Sequence, residues 1–569
     1  MKTRGKARAR RRLRGTDSRV LVVMLLMLMA WATVGYQLFR VQVVDAQEHA
    51  EKSLAQRERE YVLPARRGNI YDRNGRELAT TIDGVTVVAN PTEIEDIEVS
   101  TALISGLLDL EIEDAKERLT RDSQFVYLRR QMEPSEVDDL EELQLPGIYF
   151  ISEPKRVYPA ETLASQVVGF VNVDGEGQEG LEYFYQEQLA GEDGFQRFER
   201  DPAGRLIPQG IIEVEPAQPG LDLVTTIDAS IQFIAEQACA DTIERTAAKA
   251  CTAVVMDPSN GEVLAMAVLP SYDPGAVADA DPDAFHNRAV RYTYEPGSTQ
   301  KVVTVAAALE TAAVDWHTEF DVPYEINVSN WTFSDFGDSR PTMRMSVKDI
   351  VTRSSNVGTI MIQQQLGDRA HREYLEKFGF GAPTGIDFSA EAAGLVSVDP
   401  SCGSCTASAA IGYSVTATPL QMAAVYATIA NDGMWVQPHL VADTVDGDGD
   451  ERRLVPDTRR VVSVDTARTM RFLLETVVSD GTGRNAAVPG YSVGGKTGTS
   501  LIAVDGAYTE NHMASFIGMA PISEPRLIVA VVVDSPIHGY TGGLAAAPGF
   551  AEIMEKSLHH LGVEPDAED

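Results

Sequence analysis

Beyond its first 19 positions the chain is short of basic residues, and this shortage excludes the most before any motif is read. The formal charge over 569 residues is −35. Binding a phosphate backbone needs clustered lysine and arginine, so no nucleic-acid partner is expected, and the acidic excess reads as a solvated surface. Cysteine is scarce too: Cys239, Cys251, Cys402 and Cys405 are the only four. Cys402 and Cys405 stand at C-x-x-C spacing, but no second such pair and no histidine pair at ligand spacing joins them. A metal is therefore not expected, and no cofactor is implied. A local disulfide or two free thiols remain, with three pairings open among the four cysteines. Internal repeats and long low-complexity tracts are absent beyond the basic start. A second apolar stretch long enough to span a bilayer is missing as well, which excludes a multi-span architecture.

What is present begins at the N-terminus. Residues 1–19 carry nine Lys or Arg, from Lys2 to Arg19, opposed only by Asp17. An apolar run follows from Val20 to about residue 40. Some 20 such residues at helical rise cover roughly 30 Å, one hydrocarbon thickness. Flanking basic charge predicts that this end stays in the cytoplasm and that the rest of the chain lies outside. A cleaved signal peptide is the alternative, since Ala30-Trp31-Ala32 has the small-x-small form of a cleavage site. Apolar residues continue past it to Val44, which favours a retained membrane helix at 20–40.

A length of 569 residues with 44% apolar composition predicts two or three domains with real cores. Asp45 to Glu60 reads as a charged, helical stalk. Residues 66–79 read as strand, turn and strand about Asn74-Gly75. Residues 92–145 read as acidic and locally helical, and Pro202 to Pro219 as rich in turn formers. A second regime opens at Asp222, dividing 41–221 from 222–569. There a helix over Ile227–Ala248 precedes two strands, Thr252–Asp257 and Glu262–Val268, joined by Pro258-Ser259-Asn260-Gly261. Late strands are expected at 493–500, 514–519 and 527–533, and a last helix near 550–561. This order predicts an α+β fold, an antiparallel sheet flanked by helices.

Three short patterns carry the chemistry: Ser298-Thr299-Gln300-Lys301, Ser354-Ser355-Asn356 and Lys496-Thr497-Gly498-Thr499-Ser500. A second S-x-x-K, Ser152 to Lys155, contains Pro154, which prevents both side chains from sharing a helical face. No proline interrupts the Ser298 copy, and Pro296-Gly297 ahead of it marks a turn into a helix predicted over 299–314. Serine is a weak nucleophile and needs a base. Lys301 can be that base if burial and the neighbouring charge of Lys496 depress its pKa. Ser354 suits a proton relay, and Asn356 an amide holding both Lys301 and a substrate carbonyl. Lys496 with the hydroxyls of Thr497 and Thr499 can clamp a carboxylate. Gly498 is expected to let substrate lie against the strand, and the Ser298 and Thr499 amides are expected to form an oxyanion hole. Each pattern alone is commonplace as a surface helix, a cap or a turn. Their joint presence in this order is what points to acyl transfer through a serine ester.

At these residues the chain resembles the penicillin-binding proteins and serine β-lactamases, whose motifs they match. The match extends to Arg67-Gly68-x-Ile70-x-Asp72-Arg73-x-Gly75, Arg156-x-Tyr158-Pro159 and Gly180-Leu181-Glu182, which resemble the N-terminal pedestal of the class B penicillin-binding proteins. Asn287-Arg288-Ala289, Ile411-Gly412-Tyr413, Thr418-Pro419-Leu420-Gln421 and Gly481-Thr482-Gly483 also match the family. The resemblance implies a pedestal at 41–221, a transpeptidase domain with a helical subdomain at 222–569, and a D,D-transpeptidase that cross-links peptidoglycan stem peptides ending in D-Ala-D-Ala. It also implies covalent inhibition by β-lactams, a membrane glycan polymerase and other division proteins as partners, and most closely the septal type at the division site. An elongation-type enzyme, a β-lactam sensor and a non-catalytic division scaffold are the other readings. Gln300, Val302 and the Cys402–Cys405 loop depart from the family's usual residues.

Overall fold

The computed structural model describes residues 15–47, 58–200, 206–398, 402–447, 449–504 and 506–567. The basic residues from Lys2 to Arg14 and most of the expected stalk lie outside them. The chain forms two compact units. The first, up to Pro64 together with Asp193–Gln218, holds helix α1 (Gly15–Phe39) and a π-helical turn at Arg40–Val44. From Ser18 to Val44 this segment is apolar and long enough to cross a membrane, and its large apolar side chains are exposed. Leu, Met, Val and Ala supply good helix formers and no internal proline, so length and apolarity agree. The same unit has an antiparallel sheet of Glu58–Leu63, Gly194–Arg200 and Leu206–Glu215. The last of these lies inside the stretch expected to be turns. Its Ile207, Ile211, Ile212 and Val214 carry the β-propensity that the count of Pro and Gly obscured.

The second unit comprises Ala65–Glu192 and Pro219 onward. In its N-terminal part the strand–turn–strand pattern is realised at Ile70–Tyr71 and Glu77–Ala89, with Gly75 at a φ of +82° in the turn. The long strand pairs antiparallel with Ile148–Val157 and with Val126–Met132. That last strand lies within the region read as locally helical, between helices Ile112–Leu119 and Pro134–Glu142. Val126, Leu128 and Met132 point inward and Tyr127 and Arg129 outward, a two-residue period that acidic composition hid.

The pedestal signature has a single physical centre. Glu182, with no exposed surface, accepts from Arg67 Nε at 2.6 Å and from Arg156 Nε at 2.7 Å. Arg67 Nη2 also donates to the Glu182 carbonyl at 2.8 Å, and Arg156 Nη1 to the Gly68 carbonyl at 2.8 Å. Gly68 must be glycine because a Cβ there would stand 1.9 Å from the Leu221 carbonyl oxygen. Three segments far apart in sequence are thus tied by one carboxylate.

In the C-terminal part, helix α2 (Ala229–Thr246) precedes strands β1 (Ala250–Met256) and β2 (Val263–Leu269). Strands β3 (Gly494–Val504), β4 (Ala507–Ala520) and β5 (Leu527–Asp534) complete an antiparallel sheet in the order β2-β1-β5-β4-β3. Both faces are covered, which is why β1 and β5 read as almost unbroken apolar runs. On one face α2 packs with the final helix Ala547–His560 through Ile231, Ala235, Phe550 and Ile553. On the other, helices including Pro419–Ala430 and Val464–Ser479 pack against Val254, Ile517 and Ala530. The α+β plan is therefore observed. The cysteines pair as Cys239–Cys251, joining α2 to β1, and as Cys402–Cys405.

Replacing Glu182 with alanine would leave two buried guanidinium groups without a counter-charge. The expected loss is about 3–5 kcal/mol, read as a lowered midpoint in denaturant unfolding; a midpoint unchanged from the parent would show that the carboxylate does not hold the segments together.

Candidate active site

Ser298 is carried by a tight turn that only a particular sequence permits. Gly297 has a φ of +55°, and a Cβ there would lie 2.9 Å from the Thr499 carbonyl oxygen. Its N–H donates to the Gly412 carbonyl at 3.1 Å. The Tyr426 hydroxyl donates to the Thr299 carbonyl at 2.9 Å, and the Thr299 hydroxyl to the Pro296 carbonyl at 2.7 Å. Residues Gly297–Gln300 form a 3-10 turn, after which Lys301 opens helix α3 (Lys301–Glu310). The helix ends four residues before the expected position, with Ala312 in the left-handed region. Ser298 is left half-buried at the floor of a cleft of about 940 Å³ that Ser354, Asn356, Thr497 and Thr499 also line.

The three patterns converge there. Lys301 is buried, and its Nζ donates to the Ser354 carbonyl and to Asn356 Oδ1, each at 2.7 Å. Ser354 Oγ lies 3.4 Å from that nitrogen and 2.8 Å from Lys496 Nζ. Lys496, on β3, is 1% exposed and also reaches the Thr497 carbonyl at 3.3 Å and the Thr497 hydroxyl at 3.4 Å. Ser354 itself caps helix α4 (Val347–Arg353) in the left-handed region, at a φ of +59°, ahead of α5 (Asn356–Leu366). A non-glycine residue held there marks a conformation fixed by its surroundings. The other S-x-x-K pair, Ser152 and Lys155, lies on the strand Ile148–Val157, as its proline predicts.

Burial depresses both lysines. Lys301 falls well below the usual lysine range through desolvation first and the nearby charge of Lys496 second, with Asp335 opposing. Desolvation lowers Lys496 to about 7. Two ammonium groups sharing one hydroxyl in a buried site disfavour each other's charge, so the pair is driven to give up a proton.

Thr497 and Thr499 are brought to the cleft as expected. The Thr497 hydroxyl meets the Thr482 hydroxyl at 2.8 Å, and Thr499 Oγ1 accepts from the Gly542 N–H at 3.0 Å. Gly498 also has a packing role. A Cβ there would stand 2.3 Å from Ser515 Oγ and 2.8 Å from the Pro296 carbonyl oxygen, so its bare face admits the turn that carries Ser298. The Gly297 contact with Thr499 sets the Ser298 and Thr499 backbones side by side.

Sequence reasoning missed Asp335. Its carboxylate accepts from Ser355 Oγ at 2.9 Å and from the Val357 N–H at 3.0 Å, and pairs with Arg340. It thereby pins the start of α5, and with it Ser354 and Asn356. An aspartate this far ahead of Ser355 has no local pattern to announce it. Thr482 was visible only as part of Gly481-Thr482-Gly483.

The penicillin-binding protein transpeptidase domain matches residues 251–555, and the penicillin-binding protein dimerisation domain matches residues 62–225. The chain is a class B penicillin-binding protein. It is similar to the probable peptidoglycan D,D-transpeptidase PbpC of Pseudomonas aeruginosa, 33% identical with 96% of each chain covered. It is also similar to the peptidoglycan D,D-transpeptidase FtsI of Escherichia coli, 32% identical over 88% of this chain and 84% of the relative. Among solved structures, penicillin-binding protein 3 of Mycobacterium tuberculosis complexed with ampicillin aligns with a TM-score of 0.72 at 30% identity, covering 89% of this penicillin-binding protein and 98% of that chain.

Asp335→Asn tests the missed residue. Weakening hydrogen bonds to a charged group is worth about 1.5–3 kcal/mol, so penicillin acylation should slow roughly 10- to 100-fold. Because Asp335 raises the Lys301 pKa, the acid limb of the rate–pH profile should also move to lower pH. A limb that stays in place would show that Asp335 does not act on Lys301.

Proposed function

We propose that this penicillin-binding protein is a serine D,D-transpeptidase that cross-links peptidoglycan stem peptides through an acyl-enzyme on Ser298. The observation that carries the reading is the Ser354 hydroxyl set between Lys301 and Lys496 at the cleft that Ser298 lines. Neutral Lys301 takes the Ser298 proton as Oγ attacks the penultimate D-alanine carbonyl. The Ser298 and Thr499 amides stabilise the oxyanion, and each such donor is worth roughly 3 kcal/mol in acyl-transfer enzymes. Lys496, Thr497 and Thr499 hold the terminal carboxylate, and Ser354 passes a proton to the departing D-alanine nitrogen. An amine from a second stem then attacks the ester, and Ser298 regains its proton. A β-lactam enters the same route and stays esterified.

The apolar helix α1 supports a single-pass membrane protein. The basic residues before it support a cytoplasmic N-terminus at the cytoplasmic membrane, with the pedestal at 41–221 and the transpeptidase domain at 222–569 outside. A septal role, with a membrane glycan polymerase and other division proteins as partners, is supported by similarity to the relative named FtsI.

Ser298→Ala should abolish covalent penicillin labelling, a loss of order 10⁴ to 10⁶ in rate, with the fold intact. Acylation requires Lys301 without its proton and Lys496 with one. The rate should therefore rise with pH as Lys301 deprotonates and fall again above the Lys496 pKa, about 7 in the free protein. Lys301→Arg should be inactive at every pH, because guanidinium does not deprotonate, whereas Lys496→Arg should keep activity and extend the alkaline limb. An active Lys301→Arg enzyme beside a dead Lys496→Arg would reverse the two roles.

A further inference from the structure

The helix that carries Lys301 has a polar back that the reaction as described does not use. Gln300 and Thr304, four residues apart, share one face of the turn and helix that follow Ser298. Neither has any exposed surface, and nor does His371 on the helix Asp368–Lys377. The Thr304 hydroxyl is their common point: it lies 3.0 Å from His371 Nε2, 3.4 Å from Gln300 Oε1 and 3.0 Å from the Ala410 carbonyl oxygen. Burial pushes the His371 imidazole down to about 4, with Asp368 opposing, so the ring is neutral and holds one N–H. A hydroxyl has one proton to give. Given to the Ala410 carbonyl, it leaves His371 to donate from Nε2, and the line from His371 through Thr304 to Ala410 is complete. Two atoms of the cluster stay unmatched: Gln300 Nε2 and His371 Nδ1 have no hydrogen-bond partner among the described residues. Buried nitrogens left in that state cost stability, and an apolar pair of the same size would sit here at lower free energy.

We propose that Gln300 and His371 are positioning residues, a buried polar brace that acts through Thr304 to set where helix α3 presents Ser298 and Lys301 to Ser354. This rests on the transpeptidase reading above. The rest of the buried face of α3 is Val302, Val303, Val305 and Ala306 to Ala308, all short side chains. Apolar contact of that kind is strong but has no direction, whereas a hydrogen bond fixes both distance and angle. Lys301 tolerates little drift, since its Nζ meets the Ser354 carbonyl and Asn356 Oδ1 at 2.7 Å each. The bonds to Thr304 supply the direction that valine and alanine cannot. They also close a ring. The Ala410 carbonyl holds the back of α3, and two residues on, the Gly412 carbonyl receives the Gly297 N–H at 3.1 Å, next to Ser298. A Cβ on Gly412 would stand 2.0 Å from the Gly297 carbonyl oxygen, so that side of the ring has no slack. One short segment thus grips the nucleophile's turn and the helix behind it, and His371 ties the grip to a helix that does not line the cleft.

The test separates positioning from packing. Full-length protein in detergent is mixed with benzylpenicillin over a range of concentrations, which gives the dissociation constant of the first complex and the limiting acylation rate. The melting midpoint is read on the same samples. Gln300→Met and His371→Leu fill the same space with apolar groups. Each should slow the limiting rate roughly 5- to 50-fold, the effect of a small misplacement of reacting groups, and leave the dissociation constant unchanged. The melting midpoint should stay level or rise by up to about 4 °C, because an unmatched polar group is gone. The double variant should be no slower than the slower single, since both act through Thr304. His371→Gln, which keeps a donor near the Nε2 position, should restore most of the rate. Parental acylation rates in the apolar variants overturn the proposal. So do rate losses that track a lowered midpoint, which mark lost packing, losses that multiply in the double variant, or a weakened first complex at an unchanged limiting rate. A parent protein that forms no Ser298 ester overturns the transpeptidase reading instead, and shows it before any variant is made.

Discussion

Two lysine ammonium groups converge on the hydroxyl of Ser354, and most of the catalytic domain is built to make that arrangement tolerable. In water each would keep its proton, but at this depth neither is well solvated and each raises the cost of charging the other. The outcome is one neutral amine and one cation side by side, which acyl transfer needs. Lys301 reaches its place from a helix, Lys496 from a strand, and Ser354 from the end of a third element. Asp335 then bounds the effect from behind, holding the serine loop and limiting how far the Lys301 pKa falls.

The closeness of those elements depends on missing side chains. Gly297 and Gly498 each face a backbone or hydroxyl oxygen at a distance no Cβ could share, and Gly542 stands 2.4 Å from the Gly498 carbonyl oxygen by the same measure. The edge strand β3, the Ser298 turn and the loop after β5 are therefore stacked backbone on backbone. Such contact leaves little slack for the nucleophile. The same logic operates in the pedestal at Gly68, where a neighbouring carbonyl occupies the space of a side chain.

How much of this was legible depended on whether the cause was local. The Ser298, Ser354 and Lys496 patterns were readable because each is a few residues long and its chemistry rests on residue type. The Asn74-Gly75 turn and the β1–β2 hairpin were readable for the same reason. Asp335 was not, since its role is set by a fold that returns it to Ser355. The packing role of Gly498 was not legible, because sequence shows that space is needed and not which neighbour fills it. The strands Val126–Met132 and Leu206–Glu215 were hidden by composition, acidic in one case and rich in turn formers in the other.

Ile70–Tyr71 runs parallel to Leu223–Val224 in a sheet that continues to Val441–Val445. The buried Tyr185 hydroxyl donates to Asp387 at 2.9 Å, whose carboxylate also receives the Leu440 and Val441 amides. The sheet that Ile70–Tyr71 begins is thus finished only by a strand in the last quarter of the chain. Until that strand is made the folding protein carries an unfinished sheet edge, and non-local pairing of that kind is slow and prone to misassociation. Its most vulnerable moment comes before it has an active site at all, while the N-terminal strands are formed and the strand that completes their sheet is still to come.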